Sequence, residues 1–255
     1  MRYDPPQPNL SAVPALRIAQ LTDPHLLLPP GNQLMGLDTL DRFRRCLAAA
    51  VAARPAALFL TGDFCAQEPD PAVYAWLRPR LDETGLPYYL LAGNHDDRRA
   101  LRQSFDLPGA GNEPIHYTTE LAGHHFVCLD SSPGELDGDQ LPWLDAQLRA
   151  HPAAFVFVHH PPAPLGVRFM DEHHPIRDGG ALLRALSEHG PRHVFCGHYH
   201  AGRDVHRPDG ITVHCCPPTS FHISPDPADF HLDPLAPAWR LLELTDNGEL
   251  RVVNR

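Results

Sequence analysis

The sequence predicts an α/β fold with mixed sheets. Short apolar runs alternate with stretches of helical period, the pattern of strands crossed over by helices. Two pairs of runs are instead joined by tight turns at Ala122-Gly123 and Asn247-Gly248, the signal of antiparallel hairpins. Five apolar runs each end in a short polar cluster, as expected where α/β proteins gather functional groups at the carboxyl ends of strands. Helices outside and sheets inside satisfy all three observations, and two packed sheets would accommodate the antiparallel pieces.

Taken in order, Leu16–Leu21 reads as the first strand and residues 38–53 as a helix, with Leu40, Phe43, Leu47 and Val51 on one face. Residues 57–61 read as a buried strand. Pro71–Asp82 reads as a helix whose proline stands in the first turn, where a fixed φ suits it. Residues 88–91 read as a third strand with a short helix after it. Residues 115–119 and His124–Leu129 pair across Ala122-Gly123. A helix over 139–149, a strand over 154–158, a helix over 180–189 and a strand over His193–Cys196 follow. Further strands are expected near Val205 and over 211–215, and 239–244 with 250–253 close the chain as a hairpin. With no repeat and no long linker, the expectation is a single domain over residues 1–255. Residues 1–14 form an extended arm in this reading, and the hairpin at 239–253 belongs to the same domain.

Composition narrows the function. At 255 residues, 43% apolar and 20% charged, the chain is long and apolar enough to bury a core. A net charge of −10 argues against a nucleic-acid-binding surface, which needs Lys and Arg to neutralise phosphates. No apolar run reaches the roughly 18 residues of a membrane helix, and residues 1–8 lack the apolar core of a secretory signal. The six cysteines show no C-x-x-C spacing. Four of them, Cys46, Cys128, Cys196 and Cys215, sit in or beside apolar stretches where a free thiol packs as a small hydrophobe. These features point to the cytoplasm, a reducing compartment. The unusual figure is 18 histidines.

The histidines concentrate in the strand-end clusters. Asp23-Pro24-His25 follows the first strand, Gly62-Asp63 the second and Gly93-Asn94-His95-Asp96 the third. His159-His160-Pro161-Pro162 follows the strand at 154–158, and Gly197-His198-Tyr199-His200 follows His193–Cys196. One histidine in such a loop is ordinarily a solvated or satisfied side chain; five donor-rich clusters on successive strand ends are not. Asp-x-His and His-x-His each bring two donors together while the intervening residue points elsewhere. The donors are Asp23, His25, Asp63, Asn94, His159, His198 and His200. Two metals with four protein ligands each need eight contacts, which seven residues supply if one carboxylate bridges, and Asp63 is the candidate bridge. Carboxylate, imidazole and amide oxygen without thiolate suit Mn, Fe, Co or Zn. Two divalent ions roughly 3.5–4 Å apart clamp the attacking and leaving oxygens of an in-line displacement and make hydroxide available near neutral pH. With two aspartates and one hydroxide, such a site keeps about one net positive charge, matched to a singly charged phosphodiester.

In this order, D-x-H (Asp23, His25), G-D (Gly62, Asp63), G-N-H-D (Gly93, Asn94, His95, Asp96), H-x-P (His159, Pro161) and G-H-x-H (Gly197, His198, His200) resemble the five blocks of the calcineurin-like metallophosphoesterases. Within that superfamily the chain is most similar to the bacterial class III cyclic-3′,5′-AMP phosphodiesterases. That closer likeness lies in residues 34–40, in 134–136 before the Gln140-Leu141-Pro142-Trp143-Leu144 helix, and in the tail at 229–239. The resemblance implies a four-layer α/β/β/α sandwich with a dinuclear centre. One metal would take Asp23, His25, Asp63 and His200, and the other Asp63, Asn94, His159 and His198. His95 would face the phosphate instead of binding metal, and the phosphate would lie against His25, Asp63, Asn94, His95 and His200. The implied activity is hydrolysis of 3′,5′-cyclic AMP to 5′-AMP by a metal-bridging hydroxide, with Asp63, Asn94 and His95 as the catalytic set. The partner is then a small phosphodiester, and monomer and homodimer both fit the sequence. Two other readings stand beside this one. The first is a broader diesterase acting on glycerophosphodiesters, 2′,3′-cyclic nucleotides or aryl diesters; the second is a non-catalytic scaffold of the same fold.

The remaining residues carry weaker readings. The H-x-P spacing favours His159 over His160 as the ligand. Asp96 either orients His95 or stands as a solvated helix-start acid. His124-His125 and His173-His174 read as solvated side chains, with residues 171–174 able to rim the cleft. Phe221-His222 either packs or flanks a purine, Arg98-Arg99 reads first as a solvated helix face and second as a cap of charge near the phosphate, and Trp76, Trp143 and Trp239 read as core anchors. Cys215-Cys216 reads as packing and turn.

Overall fold

A computed structural model describes residues 16–31, 33–190, 193–245 and 249–255. The expected arm at 1–14 and the Asn247-Gly248 turn lie outside the described residues. The chain opens with β1 (Leu16–Leu21), β2 (Gln33–Leu34), β3 (Leu37–Asp38), α1 (Thr39–Ala52), β4 (Ala57–Leu60), α2 (Pro71–Asp82), β5 (Tyr88–Leu90) and α3 (Arg98–Phe105). Its middle holds β6 (Tyr117–Leu121), β7 (His124–Leu129), α4 (Gln140–Ala150), β8 (Phe155–Val158), α5 (Arg168–His173) and α6 (Gly179–His189). It closes with β9 (His193–Cys196), β10 (Arg203–His206), β11 (Thr212–Cys215), β12 (His222–Ile223), β13 (Leu232–Asp233), β14 (Arg240–Leu244) and β15 (Leu250–Asn254). Local chemistry sets the first three helix starts. Asp38, Asp70 and Asp97 accept the amides of Asp41, Ala72 and Ala100 at 2.9, 2.9 and 2.7 Å, which satisfies donors the helix leaves free.

Five strands form one sheet in the order β15-β14-β1-β4-β5, and six form another in the order β10-β11-β9-β8-β7-β6. In the first, β1, β4 and β5 run parallel while β14 and β15 add antiparallel. In the second, β7, β8, β9 and β11 run parallel between antiparallel β6 and β10. Alternation along the strands divides the apolar side chains among three cores. Ile18, Phe59, Phe126, Phe157, Phe195 and Leu242 meet between the sheets. Ala19, Leu58 and Leu60 point the other way, onto Phe43, Tyr74, Leu77 and Leu101 of α1, α2 and α3. Val156, Val158 and Val194 pack onto Leu144, Met170, Leu182 and Leu186 of α4, α5 and α6. Three cores separate four layers, the α/β/β/α sandwich that the resemblance implied.

The inter-sheet core is aromatic. Phe157 stacks on Phe59 with centroids 4.4 Å apart and on Phe195 at 4.8 Å. Phe157 is fully buried, so Phe157→Ala is expected to destabilise the fold by about 3–5 kcal/mol. The measurement is urea unfolding, with a lower midpoint at an unchanged slope.

Charge is buried between the layers as well. Arg240 of β14 donates to Asp204 of β10 at 2.9 Å and to Asn254 at 2.8 Å, tying one sheet to the other. Asp204 accepts from His214 Nδ1 at 3.1 Å, and His214 Nε2 lies 3.0 Å from His193 Nδ1. Burial, then neighbouring His214 and His206, push His193 down to about 4 from the ordinary 6.5. The folded chain therefore resists protonation that the unfolded chain accepts. The stability this contributes is present above pH 6.5 and is lost as pH falls toward 4. Melting temperature is expected to drop across that window, and His193→Gln to flatten that part of the profile.

Differences from the sequence expectation have local causes. A strand from residue 115 was expected, but β6 starts at Tyr117, because the Ile115 amide donates to Asp130 Oδ2 at 2.7 Å instead of to a neighbouring strand. The β2–β3 hairpin, α5 and the β12–β13 pair carry no periodic signal, since two-residue strands and a six-residue helix are shorter than the periods that reveal them. No helix among the described residues is long and apolar enough to cross a membrane.

Candidate metal centre

Five loops leave the carboxyl ends of β1, β4, β5, β8 and β9, and several lock together through their backbones. Asp23 N–H donates to Gly62 O at 3.1 Å, His25 N–H to Asp63 O at 3.0 Å and Gly197 N–H to His159 O at 3.0 Å. Two glycines allow the approach: a Cβ on Gly93 would collide with the Asp63 carboxylate, and one on Gly197 would sit 2.6 Å from Asp23 Oδ2. The donors themselves stand in the left-handed region, with φ of 49° at Asp23, 43° at His25, 57° at Asp63, 65° at His198 and 50° at His200. That region costs an L-residue about 1–2 kcal/mol. Five such residues in one site mark a functional constraint, not a packing one.

The side chains converge as two groups that share Asp63. Asp23, His25, Asp63 and His200 form the first and Asp63, His159 and His198 the second, all buried. Carbonyl groups only accept, so they fix the tautomers. His25 Nδ1 donates to Ala66 O at 3.3 Å and His200 Nδ1 to Phe221 O at 2.7 Å. Their Nε2 lone pairs then face each other at 3.0 Å. Asp63 Oδ2 lies 3.5 Å from His25 Nε2, and Asp23 Oδ1 lies 3.6 Å from His200 Nε2. In the second group His159 Nδ1 donates to Thr61 O at 2.7 Å, leaving Nε2 at 3.4 Å from Asp63 Oδ2 and 3.3 Å from Asn94 Oδ1. His198 Nε2 donates to His174 O at 3.1 Å, which leaves Nδ1 as its lone-pair nitrogen. Side-chain nitrogens and oxygens of these types converging on two points form a cation-binding arrangement, and the set of imidazole, carboxylate and amide oxygen fits a divalent metal of the first transition row.

The electrostatics agree. Burial pushes His25 down to about 4 and holds His198 and His200 well below the ordinary imidazole range, so these rings are neutral, the form that binds metal. Burial also raises Asp23 to about 7, with Asp63 adding to the rise against the opposing pull of His159. Burial works against the Asp63 charge, yet His159, His25 and His95 hold that carboxyl well below its usual range. His159 is the counterpart: burial opposes its charge, but Asp63 wins and pushes it up to about 10. Positive charge is drawn to Asp63, where the two groups meet.

Surrounding residues fasten this centre. Thr22 Oγ1 donates to Asp23 Oδ2 at 2.7 Å, His198 N–H to the same carboxylate at 3.0 Å, and Ser220 Oγ to Asp23 O at 2.6 Å. Asp96 neither orients His95 nor stands in solvent. It is buried and accepts from Gly93 N–H at 2.9 Å, Phe64 N–H at 3.1 Å and Tyr74 O–H at 3.1 Å, stapling the loop after β5 to the loop after β4. His95 N–H donates to Asp63 Oδ1 at 2.9 Å, its Nδ1 to Gln67 O at 2.7 Å, and its ring stands edge-on to His25 at 4.9 Å. His160 is not in either group; its Nδ1 pairs with Ser131 Oγ at 2.9 Å. Arg98 is no solvated helix face, since it is held by Asp130 and Asp137 at 2.8 and 2.7 Å.

A cavity of about 310 Å³ opens over the centre. His25, Asp63, Asn94, His95, His198 and His200 form its polar floor, while Phe169, Met170, Phe221 and Phe230, with Leu34 and Met35 of the β2–β3 hairpin, form its apolar wall. Phe221 and His174 had sequence signals as flanking residues, and Leu34, Met35 and Phe230 fall in the stretches of closer family likeness at 34–40 and 229–239; Phe169 and Met170 had none. Thr22, Ser220, Tyr74 and Gln67 were equally silent, because each acts through a contact that exists only once distant segments meet. A further group of Asp145, Glu188 and His189 lies on α4 and α6, where Arg149 pairs with Asp145 at 2.9 Å.

Comparison with known proteins adds to the geometry. The family model of the calcineurin-like phosphoesterases matches residues 16–202. The 3′,5′-cyclic adenosine monophosphate phosphodiesterase CpdA of Escherichia coli K12 is 31% identical over 248 residues, covering 92% of this chain and 87% of that one. The protein of the same name from Pseudomonas aeruginosa is 30% identical over 245 residues, covering 91% and 87%. In fold, the chain is similar to a dimetal phosphatase of Danio rerio, with a TM-score of 0.69 at 15% identity over 95% of this chain and 99% of that one. With the donor groups at the strand ends and a family match across them, this chain is an enzyme of the calcineurin-like phosphoesterase family.

Proposed function

We propose that the chain hydrolyses 3′,5′-cyclic AMP to 5′-AMP at a centre holding two divalent ions. Asp23, His25, Asp63 and His200 would hold one and Asp63, Asn94, His159 and His198 the other, with Asp63 common to both groups. The observation that carries this is the pair of facing Nε2 lone pairs of His25 and His200, closed off by two carboxylates. Mn, Fe, Co and Zn all suit such donors. Bound there, the ions supply Lewis acidity toward phosphoryl oxygens and lower the pKa of water toward neutrality.

The chain's own groups do the rest. His25, Asp63, Asn94, His95 and His200 surround the phosphate at the cavity floor. The His95 amide holds the bridging carboxylate in place. The Gln67 carbonyl accepts a hydrogen bond from Nδ1–H of His95, which turns Nε2 toward the phosphate. As the imidazolium, with a proton on each nitrogen, His95 gives the Nε2 proton to the departing 3′ oxygen and is left neutral with Nδ1–H still on Gln67. The cavity volume lies within the range of small-ligand sites, and the relatives named as cyclic AMP phosphodiesterases support the choice of diester. A single domain carries the activity, with donors drawn from both sheets. All six cysteines are buried and unpaired, in keeping with work in the cytoplasm.

Chelation is expected to abolish turnover of cyclic AMP and Mn²⁺ to restore it, with two ions per chain in the restored enzyme. Full turnover by protein shown to be metal-free would refute the proposal. A broader diesterase is favoured by one feature: a second cavity of about 250 Å³, lined by Ser132, Gly134 and His160, abuts the same Asn94 and His198. It leaves room for the second substituent of an acyclic diester. Parallel kcat/KM values for cyclic AMP, a 2′,3′-cyclic nucleotide and a glycerophosphodiester decide between the two.

A further inference from the structure

The wall above the metal-binding floor carries more aromatic surface than phosphate chemistry needs. Phe221 stacks on His200 with centroids 4.3 Å apart and planes at 21°. Phe230 stands edge-on to Phe221 at 6.5 Å and to Phe169 at 5.7 Å. Phe169 lies 5.2 Å from His174, which lies 6.3 Å from His198. Six rings thus form a collar from one donor group to the other. At the mouth, Phe230 is 39% exposed and Met35, at the tip of the β2–β3 hairpin, 48% exposed. Large apolar side chains left in water at a cavity rim mark a binding surface. A phosphate gains nothing from them, whereas a flat heteroaromatic ring stacks on them.

We propose that Phe169 and Phe230 are specificity-determining residues that hold the nucleobase by stacking. The inference rests on the cyclic-nucleotide reading and goes beyond it, naming how the base is chosen. Every base presents a π-face, and purines present the larger one, so a stacking wall favours purines over pyrimidines and treats adenine and guanine alike. Phe169 comes from α5 and Phe230 from the segment before β13. Phe230 is exposed and its truncation spares the three cores, whereas Phe169 also packs against the core under α4, α5 and α6, so urea unfolding of Phe169→Ala accompanies its kinetics.

Phe169→Ala and Phe230→Ala are each expected to raise KM for cyclic AMP by about 10-fold with kcat within about twofold. Phe230→Tyr should restore the wild-type KM, and no variant should alter KM for glycerophosphoethanolamine, which carries no ring. Equilibrium binding of fluorescent 1,N6-etheno-AMP supplies a readout independent of turnover: affinity falls by the same factor in both alanine variants, while ribose 5-phosphate competes equally in all. If wild type hydrolyses cyclic AMP but both alanine variants keep its KM and the etheno-AMP affinity, the collar is refuted and the reaction stands. If wild type turns over no cyclic nucleotide, the reaction is refuted. The collar is then judged by etheno-AMP binding alone, upheld by the loss of affinity and overturned by its absence.

Discussion

Asp63→Asn is expected to lower kcat/KM by about 10³-fold or more and to leave at most one tightly held metal ion per chain. Asp63 alone belongs to both donor groups, within reach of His25 Nε2 at 3.5 Å and His159 Nε2 at 3.4 Å. Asparagine keeps the size of the side chain and tolerates the φ of 57° found there. It loses the second anionic oxygen and the charge that draws two cations together. A metal contributes several kcal/mol to transition-state charge stabilisation, and about 4 kcal/mol corresponds to the stated factor. Metal analysis and turnover on one sample give the result, with circular dichroism confirming the fold. Two ions per chain and undiminished turnover would remove Asp63 from the centre of the mechanism.

What made Asp63 visible before the fold was known is the same physics that makes it matter. Parallel strands end where side chains of distant segments meet, so donors placed directly after Leu21, Leu60, Val158 and Cys196 reveal a shared site from their positions alone. The continuous apolar runs Phe126–Leu129, Phe155–Val158 and Val194–Cys196 within β7, β8 and β9 announced strands for a related reason, since they are buried on both faces. The apolar wall gave no periodic signal, although Phe221 and the stretches at 34–40 and 229–239 carried cues of other kinds. Met35 sits at the tip of a hairpin of two-residue strands, Phe169 in a six-residue helix and Phe230 in an irregular segment, none long enough to show a period. Asp96 was misleading for a different reason. Its position just before a helix suggests a solvated cap, yet the cap is Asp97, and Asp96 turns inward to hold three donors of the folded core.

His95→Gln separates proton delivery from phosphate binding. Loss of a general acid typically lowers rate about 10²–10⁴-fold. The loss is expected mainly in kcat, with both metals retained, because His95 lies in neither donor group. Its backbone amide, which holds Asp63 Oδ1 at 2.9 Å, survives the substitution. The decisive comparison is between leaving groups. The 3′ oxygen of cyclic AMP departs as an alkoxide unless protonated, whereas p-nitrophenolate departs unaided. If His95 delivers the proton, His95→Gln slows cyclic AMP by about 10³-fold and bis(p-nitrophenyl) phosphate by about 10-fold or less. Equal losses on both would assign His95 to charge stabilisation of the phosphoryl oxygens, since that demand does not depend on which oxygen leaves. A fall in bound metal in the variant would instead make the residue a support for Asp63 and remove it from the reaction altogether.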